Sequence, residues 1–149
     1  MNTKRLILAC VVVFVFVFGF EWVFHGVLLQ ETYAQTASLW RPESEMQQHF
    51  AWLVLGQLLL SVMFCVIYAV RHGANGGVGQ GIGYGVLVAL LLTSPTLISY
   101  AVQPLPISLI GSWVVGRIIQ LVIAGAILGA VYRPTPQASA PTPASPAAA

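Results

Sequence analysis

Glu21 and His25 lie four residues apart near the end of an otherwise apolar run, "GFEWVFHGVLLQE". Residues one helical turn apart share a helix face, and a carboxylate beside an imidazole is a set that can hold a proton or a cation. A third ionisable residue, Arg117, interrupts another apolar run, "GSWVVGRIIQLV", three residues before Gln120. Gln57 interrupts a third, "VLGQLLLSV". An unpaired arginine deep in hydrocarbon costs at least about 2.5 kcal/mol. A carboxylate in bidentate geometry relieves much of that cost. Glu21 is the single acidic residue within the apolar runs, so by elimination Glu21 and Arg117 are expected to pair, with Gln57 and Gln120 adding hydrogen bonds. The leading reading of this polar cluster (Glu21, His25, Arg117, Gln57 and Gln120) is a buried clamp that fixes helix register. The alternative is a proton or ion site. A proton relay needs titratable groups running to both surfaces, and the inner halves of the runs offer little beyond Cys10, Tyr68 and Tyr84.

Other groups with chemical capacity point to weaker assignments. His25 and His49, with Glu45 or Met46, form a conceivable metal set, but their spacing matches no metal motif. The preferred reading is a pair of interfacial histidines bonded to loop backbone. A haem would want histidines deeper between the helices. No metal and no cofactor is therefore expected. Cys10 and Cys65 sit in apolar runs without CxxC spacing and read as small buried hydrophobes. The stretch "GGVGQGIGYG" contains neither GxGxxG nor GxxxxGK[ST], so it does not cradle phosphate. Gly77, Gly81 and Gly85 instead repeat every four residues, Gly79 and Gly83 form a second row, and Gly125 and Gly129 repeat likewise near the end. Small residues at that spacing let two helices approach closely in lipid. No nucleophile, base and orienting group assemble from the hydrophilic segments, and the chain is not read as an enzyme.

These residues must be positioned by something, and composition says what. Charged residues make up 7% of the 149 positions, against about 25% in a soluble domain. Mean hydropathy is +0.85. A net charge of +2 without basic clusters excludes nucleic acid as a partner. Four apolar runs, residues 6–29, 50–70, 82–102 and 107–132, each reach the roughly 20 residues that cross a bilayer as a helix. The "VFVFVFGF" portion favours a strand in water, but it is apolar on both faces, and four spans cannot close a barrel. The expected fold is an all-α membrane four-helix bundle over residues 1–133, followed by a disordered Pro/Ala-rich tail, residues 134–149.

Direction follows from Lys4, Arg5, Arg71 and Arg133, which flank the spans on one side; Arg41 alone lies in the first connecting loop. The positive-inside rule places both termini in the cytoplasm and residues 30–49 outside. Span one is read as an uncut anchor, not a cleaved signal. At about 1.5 Å rise per residue, Glu21 lies roughly three-quarters of the way across, His25 lies at the outer headgroups, and Arg117 is about 7 Å from Glu21 in depth. "PESE", residues 42–45, is expected to start the second helix with Ser44 as its cap. Pro95 is expected to break span three, with nearby hydroxyls satisfying the carbonyl it frees.

The basic start, "EWVFHGVLL" closing span one, "LWRP" in the outer loop, the glycine-rich start of span three and "YRP" closing span four resemble small four-helix bacterial inner-membrane proteins of unknown function. The resemblance covers about residues 4–134. It implies a bacterial inner membrane and carries no activity or site residues with it. The expected role is a structural or accessory membrane component in the lipid bilayer, as a homo-oligomer or a subunit of a membrane complex. The runner-up is a small transporter or channel in which Glu21, His25 and Arg117 line an outward vestibule.

Overall fold

A computed structural model describes residues 2–72 and 76–132, and these are mostly helical, with no strand among them. The expectations for Arg133, for the tail and for residues 73–75 lie outside the described residues. Helix α1 (Thr3–Val23) begins at Asn2, whose side chain accepts from the Arg5 amide at 3.2 Å. Its alternating Val-Phe pattern does not make a strand. Where water cannot satisfy the backbone, helix is the remaining option, and the alternate phenylalanines then fall four apart. Phe14–Phe18, Phe16–Phe20 and Phe20–Phe24 pair along the helix with ring centroids 5.7, 6.0 and 5.6 Å apart.

The C-terminal end of α1 differs from the expected simple span end. Residues Phe24–Leu28 form a π-helical turn, closed by the Leu29 amide donating to the Phe24 carbonyl at 3.0 Å. Nor are residues 30–49 an irregular loop. They fold into α2 (Gln30–Gln35), a 3-10 turn (Ala37–Leu39) and α3 (Glu43–Gln48). Local side chains hold this segment: the Thr36 hydroxyl donates to the Thr32 carbonyl at 2.8 Å and accepts from the Trp40 indole at 2.9 Å. Ser44 is not the cap of α3. Pro42 occupies that position without a side-chain bond, and Glu43 and Glu45 lie in the first turn. Proline presets the chain for a helix start, and acidic residues suit its positive end.

Three long helices follow: α4 (Phe50–His72), α5 (Val78–Val102) and α6 (Ile107–Val131). Together with α1 and its π-turn they give four helices long and apolar enough to cross a membrane, the make-up of a multi-pass membrane protein. Helix α5 starts four residues earlier than the apolar run does, because the glycines before Ile82 join it. Pro95 does not break α5. The Thr93 hydroxyl bonds the Ala89 carbonyl at 2.9 Å, one turn back, and not the carbonyl that Pro95 leaves free.

The glycines explain the tightest contact. A Cβ at Gly81 would strike the Gly125 carbonyl, one at Gly125 the Gly81 carbonyl, one at Gly85 the Leu121 carbonyl, and one at Gly129 the Gly77 carbonyl. Helices α5 and α6 therefore meet backbone to backbone. The second row, Gly79 and Gly83, faces open space. Helix α1 packs on both α4 and α6, burying Ala9, Val13 and Val17 against Phe64, Cys65, Leu121 and Leu128. At the end of the bundle where α1 begins, the Tyr68 hydroxyl bonds both the amide and the carbonyl of Gly77 at 3.0 Å, and Tyr84 donates to the Phe64 carbonyl at 2.9 Å. These bonds tie α4 to the start of α5.

Replacing Gly125 by valine pushes carbonyl against methyl and is expected to cost about 1–3 kcal/mol or more, as other overpacked sites do. Gly79→Ala and Gly83→Ala should be neutral or gain up to about 1 kcal/mol from helix propensity. Thermal unfolding of the purified variants in one detergent checks both.

Candidate functional site

The last turn of α1 places Glu21 toward α6, and α6 presents Arg117 and Gln120 one turn apart on the facing side. One carboxylate oxygen of Glu21, Oε1, accepts from Arg117 Nη1 at 3.2 Å and from Gln120 Nε2 at 2.9 Å. The other, Oε2, lies 2.9 Å from His25 Nε2. Gln120 is fully buried. Its oxygen takes a second bond from Arg117 Nη1 at 3.1 Å, and its nitrogen also reaches the Val17 carbonyl at 3.4 Å. The Glu21 side chain is 16% exposed and that of Arg117 32%. The arginine thus engages one carboxylate oxygen instead of both, because the histidine holds the second.

His25 extends this network outward instead of bonding to loop backbone. Its Nδ1 is 2.5 Å from the Tyr33 hydroxyl, which also accepts the Trp113 indole N–H at 2.9 Å. A neutral imidazole with its proton on Nε2 satisfies every partner: Trp113 donates to Tyr33, Tyr33 to His25, and His25 to Glu21. The rings pack around this line, His25 stacked on Tyr33 and Trp40 edge-on to it. His25 and Tyr33 lie 5.9 Å apart, Tyr33 and Trp40 5.4 Å, and Trp40 and Trp113 6.0 Å. Gly116 makes room at the base, since a Cβ there would strike the Phe24 ring.

Tyr33 is the joint between the membrane part and the outer segment. Burial pushes its phenol up from the ordinary value of 10.0; the Trp113 hydrogen bond opposes the shift, and the charge of Glu21 adds to it. The hydroxyl therefore keeps the proton it donates to His25 into alkaline solution.

The remaining sequence candidates lie elsewhere. Gln57 does not join the cluster. It faces a separate cavity, and its amide oxygen is buried without a hydrogen-bond partner. His49 bonds the Glu45 carbonyl at 2.8 Å within the outer segment. No group of three or more His, Cys, Asp or Glu that could hold a metal occurs among the described residues. Gly77, Gly81, Gly85, Gly125 and Gly129 belong to the α5–α6 contact and stand apart from the site. The polar cluster read from the sequence does not include Tyr33, Trp40 or Trp113. The available signal was that three amphipathic aromatics and a histidine all fall at the same membrane edge.

Two cavities flank the cluster. A smaller one of about 290 Å³ lies between Glu21, His25, Thr96, Trp113 and Arg117. A larger one of about 1100 Å³ shares Glu21 and His25 with it and extends to Phe50, Leu53 and Gln57 of α4 and to the segment after α1. The chain matches no family profile, no curated protein and no solved structure.

Two measurements follow from this geometry. Glu21→Gln strands the Arg117 charge and should cost about 2–3 kcal/mol, the insertion penalty of an unpaired arginine. In a double-mutant cycle with Arg117→Gln the two losses should fall short of additive by about 1 kcal/mol or more; strict additivity would refute the coupling. Tyr33, with its pKa raised on folding, contributes stability that is full below pH 10.0 and declines as pH rises beyond it. The stability difference between the wild type and Tyr33→Phe should accordingly narrow above that pH, as read by unfolding across an alkaline series.

Proposed function

We propose that this chain is a non-conducting structural or accessory component of a bacterial inner membrane, with both termini in the cytoplasm. One observation carries the reading: the intramembrane carboxylate is closed by partners on its own helix and on α6, above an inner half packed with apolar side chains. Glu21 accepts from His25, Arg117 and Gln120. Below it Ala9, Val13, Cys65, Ala89, Ala124 and Leu128 have essentially no exposed surface. A conducting path needs polar or wet groups through that depth, and this packing supports a clamp instead.

The accessory role is supported by how little of the described chain lies outside the four long helices: the longest described connection, residues 30–49, is folded onto the bundle through Tyr33 and Trp40. Orientation rests on the basic residues Lys4, Arg5 and Arg71 on one side against Arg41 alone on the other. A transporter is the second reading, favoured by the cavities on either side of Glu21.

Proteoliposomes containing the purified chain should pass protons no faster than empty ones, and detergent extracts of native membranes should retain it in assemblies larger than a monomer. Proton or solute flux abolished by Glu21→Gln in a folded protein would replace this reading with the transporter. Orientation is read separately: a cysteine at Ser38 in a Cys10→Ser, Cys65→Ser background should react with an impermeant thiol reagent from outside, and one at Lys4 should not.

A further inference from the structure

The clamp uses only part of Arg117. Nη1 donates to Glu21 and to Gln120, which engages both of its N–H groups. Nη2 and Nε, with three N–H donors between them, have no partner among the described residues. Among those residues the side-chain atoms both unpartnered and shut in are Gln57 Oε1 and Ser61 Oγ. The free edge of Arg117 is therefore open, in keeping with a side chain 32% exposed. Arg117 lines the smaller cavity and not the larger one. That cavity lies along α6, with Glu21 and Phe24 on one side and Thr96 of α5 on the other; α1 and α5 both pack on α6. The Thr96 hydroxyl also makes no hydrogen bond among the described residues. Unengaged donors thus line the cavity on two sides.

The nearby acceptors are already engaged. Both oxygens of Glu21 accept from protein donors. An occupant that brought N–H or O–H groups would find little to receive them, and a stranded donor is costly. Charge narrows the class further. Arg117 and Glu21 offset each other at 3.2 Å, and His25 is satisfied as a neutral ring, so an anion would add an uncompensated charge away from water. Depth disfavours the ester carbonyls of the bilayer itself. Arg117 is ten residues into α6 from Ile107, about 15 Å along its axis, which is half of roughly 30 Å of hydrocarbon; ester groups stay at the edge of that layer. The rings of Phe24, His25 and Trp113 form much of the remaining wall and favour a flat partner. The occupant that meets these conditions is uncharged, soluble in hydrocarbon and flat, with carbonyl acceptors on two sides and no donor. The volume, about 290 Å³, is at the lower end of small-molecule sites, which start near roughly 300 Å³. It suits a single-ring head whose tail stays in lipid.

We infer that the smaller cavity binds the head of a lipophilic quinone, one carbonyl accepting from Nη2 and Nε of Arg117, the other turned to the Thr96 hydroxyl, and the ring against Phe24 and Trp113. Arg117 then holds Glu21 with one nitrogen and the ligand with the other two. The assignment concerns binding alone and does not rest on the accessory role proposed above.

The test uses the full chain in lipid nanodiscs and a photoreactive probe, an azido-benzoquinone carrying a decyl chain. It should label α6 near Trp113, the π-turn and α5 near Thr96, saturably and in competition with unlabelled decyl-benzoquinone. Arg117→Lys keeps a positive charge for Glu21 but removes the guanidinium fork, and should weaken labelling about tenfold, the factor expected of a hydrogen bond to a charged group. Thr96→Phe touches no bond of the clamp and should abolish labelling by filling the cavity from α5. Thermal unfolding shows which variants are folded, and a folded one decides alone if the other is not. The wild-type chain is also tested against decanoate, and in nanodiscs of ether-linked as well as ester-linked lipid. Decanoate competing better than decyl-benzoquinone would assign the site to an anion. Labelling that appears only in ether-linked lipid would assign it to the ester carbonyls of the bilayer. Either result, no saturable labelling, labelling that survives substitution in a folded variant, or labelling mainly on α4 would overturn the inference.

Discussion

A carboxylate that must remain in a nearly dry place constrains everything at the outer half of this protein. Glu21 is tolerable there because an arginine, a buried glutamine and a histidine converge on it, and each arrives from a position the rest of the fold must guarantee. Arg117 and Gln120 require α6 to lie against α1 in one register. His25 requires the end of α1 to turn its ring back toward the acid. Removing any contributor leaves charge or a polar group without its partner, and low dielectric magnifies that penalty. The polar cluster is thus a positional lock, strongest where hydrocarbon alone would let helices slide.

The two halves of the bundle use different physics. At the inner half, α5 and α6 meet through glycines so closely that carbonyl groups occupy the space a methyl would need. Dispersion and close backbone approach provide association there. At the half that holds Glu21, hydrogen bonds and ring contacts take over, and the packing is loose enough to leave two cavities beside Glu21 and His25. The segment after α1 spans the difference: Tyr33 and Trp40 anchor it onto His25 and Trp113, so a stretch that would otherwise be a mobile connection becomes a cover.

What was legible in the sequence divides along the same line. Span positions were plain, because hydrocarbon imposes a length and a composition that few other settings do. The glycine periodicity pointed to close helix approach, and GxxxG spacing has few competing explanations in apolar runs. The convergence of Glu21 with Arg117 followed from counting charges. Lateral placement was not legible. Gln57 has the same chemical type as Gln120, yet it makes none of the bonds around Glu21, and a position along the chain carries no azimuth. Serine is a common cap residue, so Ser44 is the natural candidate in the sequence, whereas Pro42 precedes the helix and Glu43 already lies within it. Trp113 passed unnoticed because a tryptophan near a membrane edge is ordinary. Its meaning came only from Tyr33, 80 residues away in the chain.

The π-turn at Phe24–Leu28 has a consequence for how this chain can vary. Such a turn holds one residue more than the regular spiral would, so everything beyond it is rotated by a fixed increment relative to Glu21. Tyr33 meets His25 only at that phase. The number of residues between the acid and the phenol is therefore a whole-number constraint. Side chains along the stretch can be exchanged within limits, but a single deletion would re-form an ordinary turn and swing the outer cover off its histidine.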